Sequence, residues 1–262
     1  MQRDNLLFKR INQKFSLAAL PKQLSKKELA YHILPHFLLE LISSYLRVET
    51  EGESILSEYP QAIFIANHSG YMGFDALMLA HQIKTHCDKY PEIVAHKLWF
   101  LHPKISVQAE KFHLVRATLK NAYEILQKKS SLLLFPEGEE GNFKVTKYRY
   151  HLRRFRRGFV RLALMTGLPI IPAIVIGAEE THITLSQIRF AKDIIGTIIP
   201  IPLNILPLPV KWHICFLNPI ILKTNLKKAD DLEYVTKLSQ KIRKQMQKEI
   251  HLLLKQRKTI FL

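Results

Sequence analysis

Between two apolar runs the chain carries Asn67-His68-Ser69-Gly70-Tyr71-Met72-Gly73-Phe74-Asp75. A neutral imidazole takes a proton from a hydroxyl near pH 7, and a carboxylate on its other nitrogen fixes the tautomer and steadies the cation. His68 and Asp75 are the residue types for such a pair. Were residues 68–75 one helix, the two would stand about 10 Å apart along its axis. A His–carboxylate bond needs roughly 3 Å. The pair therefore works only if the chain loops back, and Gly70 and Gly73 are the residues that allow it. Taken alone, the same residues also fit a packed or capping histidine and an aspartate that merely caps a helix.

The elements that must position the pair are legible around it. Residues 61–66 read as a buried strand, and residues 75–84 as a helix with Asp75 in its first turn. A strand that empties into a Gly-containing loop before a helix is where α/β proteins place their sites. Further strands are predicted at 46–50, 92–96, 131–135, 170–176, 211–216 and 220–222, and helices at 121–128 and 158–166. This alternation predicts an α/β domain with a mostly parallel central sheet flanked by helices. Residues 230–254 read as a terminal amphipathic helix, with Tyr234, Leu238, Ile242, Met246 and Leu253 on one side. Lys237, Lys241, Lys244, Lys248 and Lys255 then face solvent.

Residues 1–24 read as a basic arm and 25–262 as a single domain whose motifs fall within about 61–222. Ser25-Lys26-Lys27-Glu28 is a capping-box pattern opening a helix that Pro35 kinks or restarts. Its apolar period suits a helix on the core or one docked on lipid.

The 262 residues include 47% hydrophobic and 23% charged residues, ordinary globular composition that argues against wholesale disorder. The net charge of +17 calls for an anionic partner: nucleic acid, an anionic membrane surface or a phosphorylated substrate. Nucleic acid is disfavoured, because no zinc pattern or RNA-binding aromatic signature is present and the best motifs sit at buried strand ends. Two cysteines, Cys87 and Cys215, make neither a disulfide framework nor a metal-ligand spacing, so a reducing cytoplasm and no metal are expected. The scattered charges of the first residues do not read as a signal peptide. Residues 33–46 are too short to span a bilayer and carry His36 and Glu40, while Pro200, Pro202, Pro207 and Pro209 break up 194–210. A soluble or membrane-surface protein follows, and the expectation carried forward is a peripheral one at the cytoplasmic face of a membrane.

Two more stretches bear chemistry. The run 131–138, ending Phe135-Pro136-Glu137-Gly138, puts a carboxylate and a glycine at a sheet edge, where a polyol hydroxyl or the His68 loop could be held. By itself the tetrapeptide is a turn. Arg149, Arg153, Arg154, Arg156, Arg157 and Arg161 supply guanidinium forks that match phosphate oxygens, as a lipid head group or a coenzyme A tail would present. A solvated or lipid-facing basic helix fits them as well. Lys97 and Arg116 are single cations that also suit ordinary surface positions.

In this order and at these separations, NHSGYMGFD, LLLFPEGEEG and GFVRLALMTGLPIIPAIVIG resemble the phospholipid/glycerol acyltransferase superfamily, which includes the lysophosphatidic acid acyltransferases. The likeness runs from about 61 to about 222. It implies that His68 and Asp75 are the catalytic pair, with Asn67 beside them, and that Phe135, Pro136, Glu137 and Gly138 bind the acceptor. A weaker block centres on Arg116, a structural block falls at 168–172, and Lys97 lies where a family lysine stands near the acceptor phosphate. The implied activity is acyl transfer from acyl-CoA or acyl carrier protein as co-substrate to a glycerolipid hydroxyl, with no other cofactor. Two departures bear on the acceptor. Six residues separate His68 from Asp75 where the commonest pattern has four, which looks more like the mono- and diacylglycerol acyltransferase branch. Glu140 stands where the family often places a phosphate-binding arginine; Arg153, Arg154 and Arg157 are the residues that could replace it.

Overall fold

Ile63–Ala66 and Ile170–Ile176 are apolar at every position and buried at every position, the pattern of strands covered on both faces. In the structure, a computed structural model that describes residues 34–69, 73–87 and 89–261, they pair within a seven-stranded sheet. The chain forms two compact units, Met1–Val48 and Glu49–Leu262. The first is described only from residue 34, so the predicted arm and the capping box lie outside the described residues. Its helix α1 (Leu34–Tyr45) has Pro35 in the first turn, where a missing N–H costs nothing, and no fully buried side chain.

The second unit holds the sheet. In chain order its strands are β1 (Glu49–Glu51), β2 (Ile63–Ala66), β3 (Glu92–Ala95), β4 (Leu114–Arg116), β5 (Leu132–Leu134) and β6 (Ile170–Ile176). A separate hairpin of β7 (Thr184–Ile188) and β8 (Ile199–Pro202) follows, then β9 (His213–Phe216). The sheet order is β1-β9-β6-β2-β5-β3-β4, and every pairing is parallel except that of β6 with β9. The mostly parallel sheet expected from the sequence is therefore present. Ile63 of β2 registers with both Leu132 of β5 and Ile170 of β6. The loops after β2, β3, β5 and β6 consequently leave the sheet at one carboxyl edge, where open α/β sheets hold their ligands.

The helices are α2 (Ser54–Glu58), α3 (Phe74–Cys87), α4 (Pro103–Lys111), α5 (Leu119–Gln127), α6 (Glu139–Asn142), α7 (Gly158–Thr166), α8 (Ala178–Thr181), α9 (Ala191–Ile195), α10 (Leu226–Asp230) and α11 (Leu232–Gln256). Ile63 and Ile65 of β2 and Ile174 of β6 enter one core with Leu126 of α5, Phe159 and Ala163 of α7 and Val235, Ile242, Met246 and Ile250 of α11. The helical spacing of those α11 residues buries one stripe and leaves Lys237, Lys241, Lys244 and Lys248 exposed. The remaining polar side of α11 is not idle. Gln247, Arg243 and Gln240 bond the backbone of Tyr150, Leu152 and Phe155, fastening the arginine-rich segment along the helix.

That segment corrects one reading. Residues 151–156 carry no regular structure, so the arginines are not on a basic helix until α7 begins. The strand expected at 220–222 reduces to one bridge between Ile220 and Ile170. The hairpin of β7 and β8 was hidden by Pro200 and Pro202, which a two-stranded ribbon tolerates because it needs few ladder donors from β8.

Candidate active site

Asn67 follows β2 and spends its amide on β6: Nδ2 donates to the carbonyl of Val175 at 3.0 Å, and Oδ1 accepts its N–H at 2.8 Å. A buried side chain thereby makes both bonds of a ladder residue and holds the strand end rigid. The chain then turns back. Gly73 adopts φ 70°, a left-handed conformation open to glycine, and Phe74 starts α3. Gly70 lies outside the described residues. The result is that Asp75 Oδ2 meets His68 Nδ1 at 2.6 Å.

Asp75 is held as an acceptor from three sides, since Oδ2 also takes the Ser69 N–H at 2.7 Å and Oδ1 takes the Ala76 N–H at 2.8 Å. A carboxylate can only accept, so the proton of His68 belongs on Nδ1 and Nε2 keeps its lone pair. The His68 side chain is 16% exposed and that of Asp75 is not exposed at all, so only the imidazole can reach a substrate. Its ring stacks on Phe135, centroids 4.1 Å apart. Such an arrangement can serve as a general base with its orienter.

The turn after β5 braces this loop. Glu137 is buried; its Oε1 accepts the His68 N–H at 3.1 Å and its Oε2 the Arg153 N–H at 2.6 Å. Lys144 Nζ lies 3.5 Å from Glu137 Oε2 and bonds both oxygens of Glu179 at 3.2 Å. Burial pushes the Glu179 carboxyl up to about 7; Lys144 opposes this and Glu137 adds to it. Pro136 accepts the Arg156 N–H at 2.8 Å, and the Arg156 guanidinium lies over Gly138, 3.1 Å from where a Cβ would stand.

Cations gather at the same edge. Lys97 follows β3 and lies against Gly196. Burial holds His96 below the ordinary imidazole value; Glu139 opposes this, while Lys97, Arg156 and Lys192 reinforce it. Lys192 bonds Glu139 at 2.5 Å, and Glu140 is matched by Arg189 at 2.8 Å, so neither acid presents a bare charge to an anion. A cleft of about 560 Å³ is lined by Arg154, Arg156, Arg157 and Arg161 at the first residues of α5 and α7. Arg161 is engaged with Asp230, whereas Arg154, Arg156 and Arg157 have no carboxylate partner among the described residues.

Of the residues singled out from sequence, Asn67, His68, Asp75, Phe135, Pro136, Glu137 and Gly138 therefore come together, with Lys97 nearby. Arg153 joins them through its backbone, while its guanidinium lies 5.0 Å from the Tyr148 ring. Arg154 and Arg157 line the cleft. Arg116 lies over the Phe100 ring, with Nη2 3.3 Å from the Phe100 carbonyl. Lys144, Glu179, Lys192 and Arg189 were not foreseen. Glu179 had a signal: like Glu137, it follows an apolar strand that ends beside a glycine. Lys144 had none.

A mostly parallel α/β sheet with a His–Asp pair at its carboxyl edge defines the class of protein. Residues 47–176 match the family model described as Acyltransferase. An uncharacterised protein of Mycobacterium tuberculosis is 32% identical over 251 residues, covering 87% of this chain and 69% of that one. The 1-acyl-sn-glycerol-3-phosphate acyltransferase of Limnanthes alba is 27% identical over 154 residues, 57% of this chain and 50% of the plant protein. The crystal structure of the 1-acyl-sn-glycerophosphate (LPA) acyltransferase PlsC from Thermotoga maritima shares the fold, with a TM-score of 0.54 over 98% of this chain and 90% of that one at 17% identity. The chain belongs to the acyltransferase family that this model describes.

Proposed function

We propose that the protein moves a fatty acyl group from acyl-CoA or acyl carrier protein to the hydroxyl of an anionic lysophospholipid such as lysophosphatidic acid. The observation that carries this reading is the 2.6 Å bond between His68 Nδ1 and Asp75 Oδ2, which leaves Nε2 open. His68 Nε2 takes the acceptor hydroxyl proton as the oxygen attacks the thioester carbonyl carbon. The tetrahedral intermediate collapses with loss of the C–S bond, and the thiolate leaving group takes the proton back from the imidazolium. A placed general base is worth about a hundred- to ten-thousand-fold in rate, and positioning supplies much of the rest.

The anionic acceptor is favoured by Arg156 over Gly138, by Lys97 and Lys192 beside it, and by the pairing of Glu140 with Arg189. The printed names of the Limnanthes and Thermotoga relatives point the same way. The arginine cleft suits the phosphates of a coenzyme A donor. The spacing of six residues between His68 and Asp75 supports a second reading, a neutral mono- or diacylglycerol acceptor. We place the protein peripherally at the cytoplasmic face of a membrane; among the described residues no helix is long and apolar enough to cross one.

The test offers purified protein labelled palmitoyl- and oleoyl-CoA, or the corresponding acyl carrier protein, with a panel of acceptors resolved by lipid chromatography. Lysophosphatidic acid should be acylated fastest. Faster acylation of monoacylglycerol would overturn the anionic acceptor and leave the neutral-lipid branch.

A further inference from the structure

Two apolar surfaces flank the cationic side of the site. In the segment after β3, Trp99, Leu101 and Ile105 are 52%, 68% and 47% exposed. In the hairpin, the α9 segment between its strands and the loop that follows, Phe190, Ile194 and Leu206 are 70%, 76% and 80% exposed. The two adjoin, because Lys97 at the start of the first lies 3.3 Å from where a Cβ on Gly196, just after α9, would stand. Single exposed apolar residues are ordinary on a protein surface; large ones gathered along two adjoining segments mark a contact surface. The second segment is also fastened to the turn after Gly138, by Glu140 to Arg189, Glu139 to Lys192 and Glu139 to Thr197.

We propose that these two segments form a docking surface for an anionic lipid leaflet, placing Gly138 and His68 at the level of the head groups. Composition selects lipid over a protein partner. The exposed residues are mostly aliphatic, interleaved with proline, whereas protein interfaces concentrate tyrosine and arginine at their centre. A tryptophan stands at the edge, as at membrane interfaces, and Lys97 and Lys104 supply cations alongside in a chain of net charge +17. The consequence is direct: a lysolipid need not leave the leaflet fully to bring its hydroxyl to His68. This last step rests on the acyltransferase reading; the docking itself does not.

The chain's two tryptophans make the test internal, because Trp212 is 1% exposed and only Trp99 can report a change at the surface. Adding vesicles of equimolar phosphatidylglycerol and phosphatidylcholine to the full chain should shift its emission to the blue and shield it from acrylamide. The double variant Ile194→Asp/Leu206→Asp should lose at least about ten-fold in vesicle affinity by sedimentation. It should keep its melting temperature and its turnover of a short-chain, water-soluble lysolipid. Unchanged Trp99 emission with vesicles overturns the proposal, as does a variant that binds them like wild type. A variant that changes oligomeric state without changing vesicle binding assigns the surface to a second copy and overturns it too. Shielding of Trp99 in a protein that acylates nothing would leave the docking standing and remove the enzymatic reading instead.

Discussion

Glu137 Oε1 accepts the backbone N–H of His68 at 3.1 Å, so the turn after β5 holds the His68 loop after β2. Its other oxygen takes the Arg153 N–H, and the buried carboxylate thus ties three segments together. Glu137→Gln exchanges one acceptor for an NH₂ that must face an N–H or the Lys144 ammonium. A loss of about 1–3 kcal/mol in unfolding free energy is expected. Turnover should fall at least about ten-fold as the imidazole loses its mount. Denaturant melts and steady-state kinetics check both; lost stability with full turnover would confine Glu137 to the fold.

Gly138 sits at φ 60°, ψ −148°, a region of backbone space essentially reserved for glycine. Gly138→Ala should cost about 1–3 kcal/mol, read as a lowered Tm. It should also raise the acceptor KM, because the new methyl displaces the Arg156 guanidinium. A variant that melts with the wild type would contradict the turn geometry.

Glu179 predicts a pH dependence of stability. Its folded value, about 7, lies above the ordinary 4.5 because of burial, so the folded state holds the proton more tightly than the unfolded chain. Its contribution is then fully present below about 4.5 and lost as pH rises through about 7. Tm should decline across that window, and Glu179→Gln should flatten the decline. An unchanged slope in the variant would show that Glu179 is ionised throughout.

The cations near Gly138 should act on binding more than on chemistry. A charge-assisted bond is worth roughly 1.5–3 kcal/mol. Lys97→Ala and Arg156→Ala should therefore raise the KM for lysophosphatidic acid by about ten- to a hundred-fold while kcat moves little. Neither should alter the KM for monoacylglycerol. Equal effects on both acceptors would mean that these residues position the turn and do not meet phosphate.

The central strands were legible because burial on both faces leaves an uninterrupted apolar run: the reading at 170–176 coincides with Ile170–Ile176. Helix Gly158–Thr166 was equally plain, being apolar and stopped by Gly167 and Pro169. Helix Pro103–Lys111 and strand Leu114–Arg116 were missed, since a short, largely exposed pair at the sheet edge carries no clear period. That β9 runs antiparallel to β6 was invisible for a different reason, as strand direction follows from the connection and not from composition. In the site, residue types and the need to loop back made His68 and Asp75 candidates, and the resemblance to the acyltransferases singled them out as a pair. The bracing by Lys144, Glu179 and Arg156 was not legible, because those contacts join residues far apart in sequence with no spacing rule. Glu140 shows the same limit: its charge was read correctly, but Arg189 reaches it across 49 positions.

The double-mutant cycle on His68 and Asp75 tests the central claim most directly. His68→Ala and Asp75→Asn should each lower kcat for acyl transfer to lysophosphatidic acid by at least about a hundred-fold. The double variant should be little worse than His68→Ala, because an orienter has no role without its base. Near-normal turnover in either folded single variant, or losses that multiply in the double, would contradict a His68–Asp75 general base.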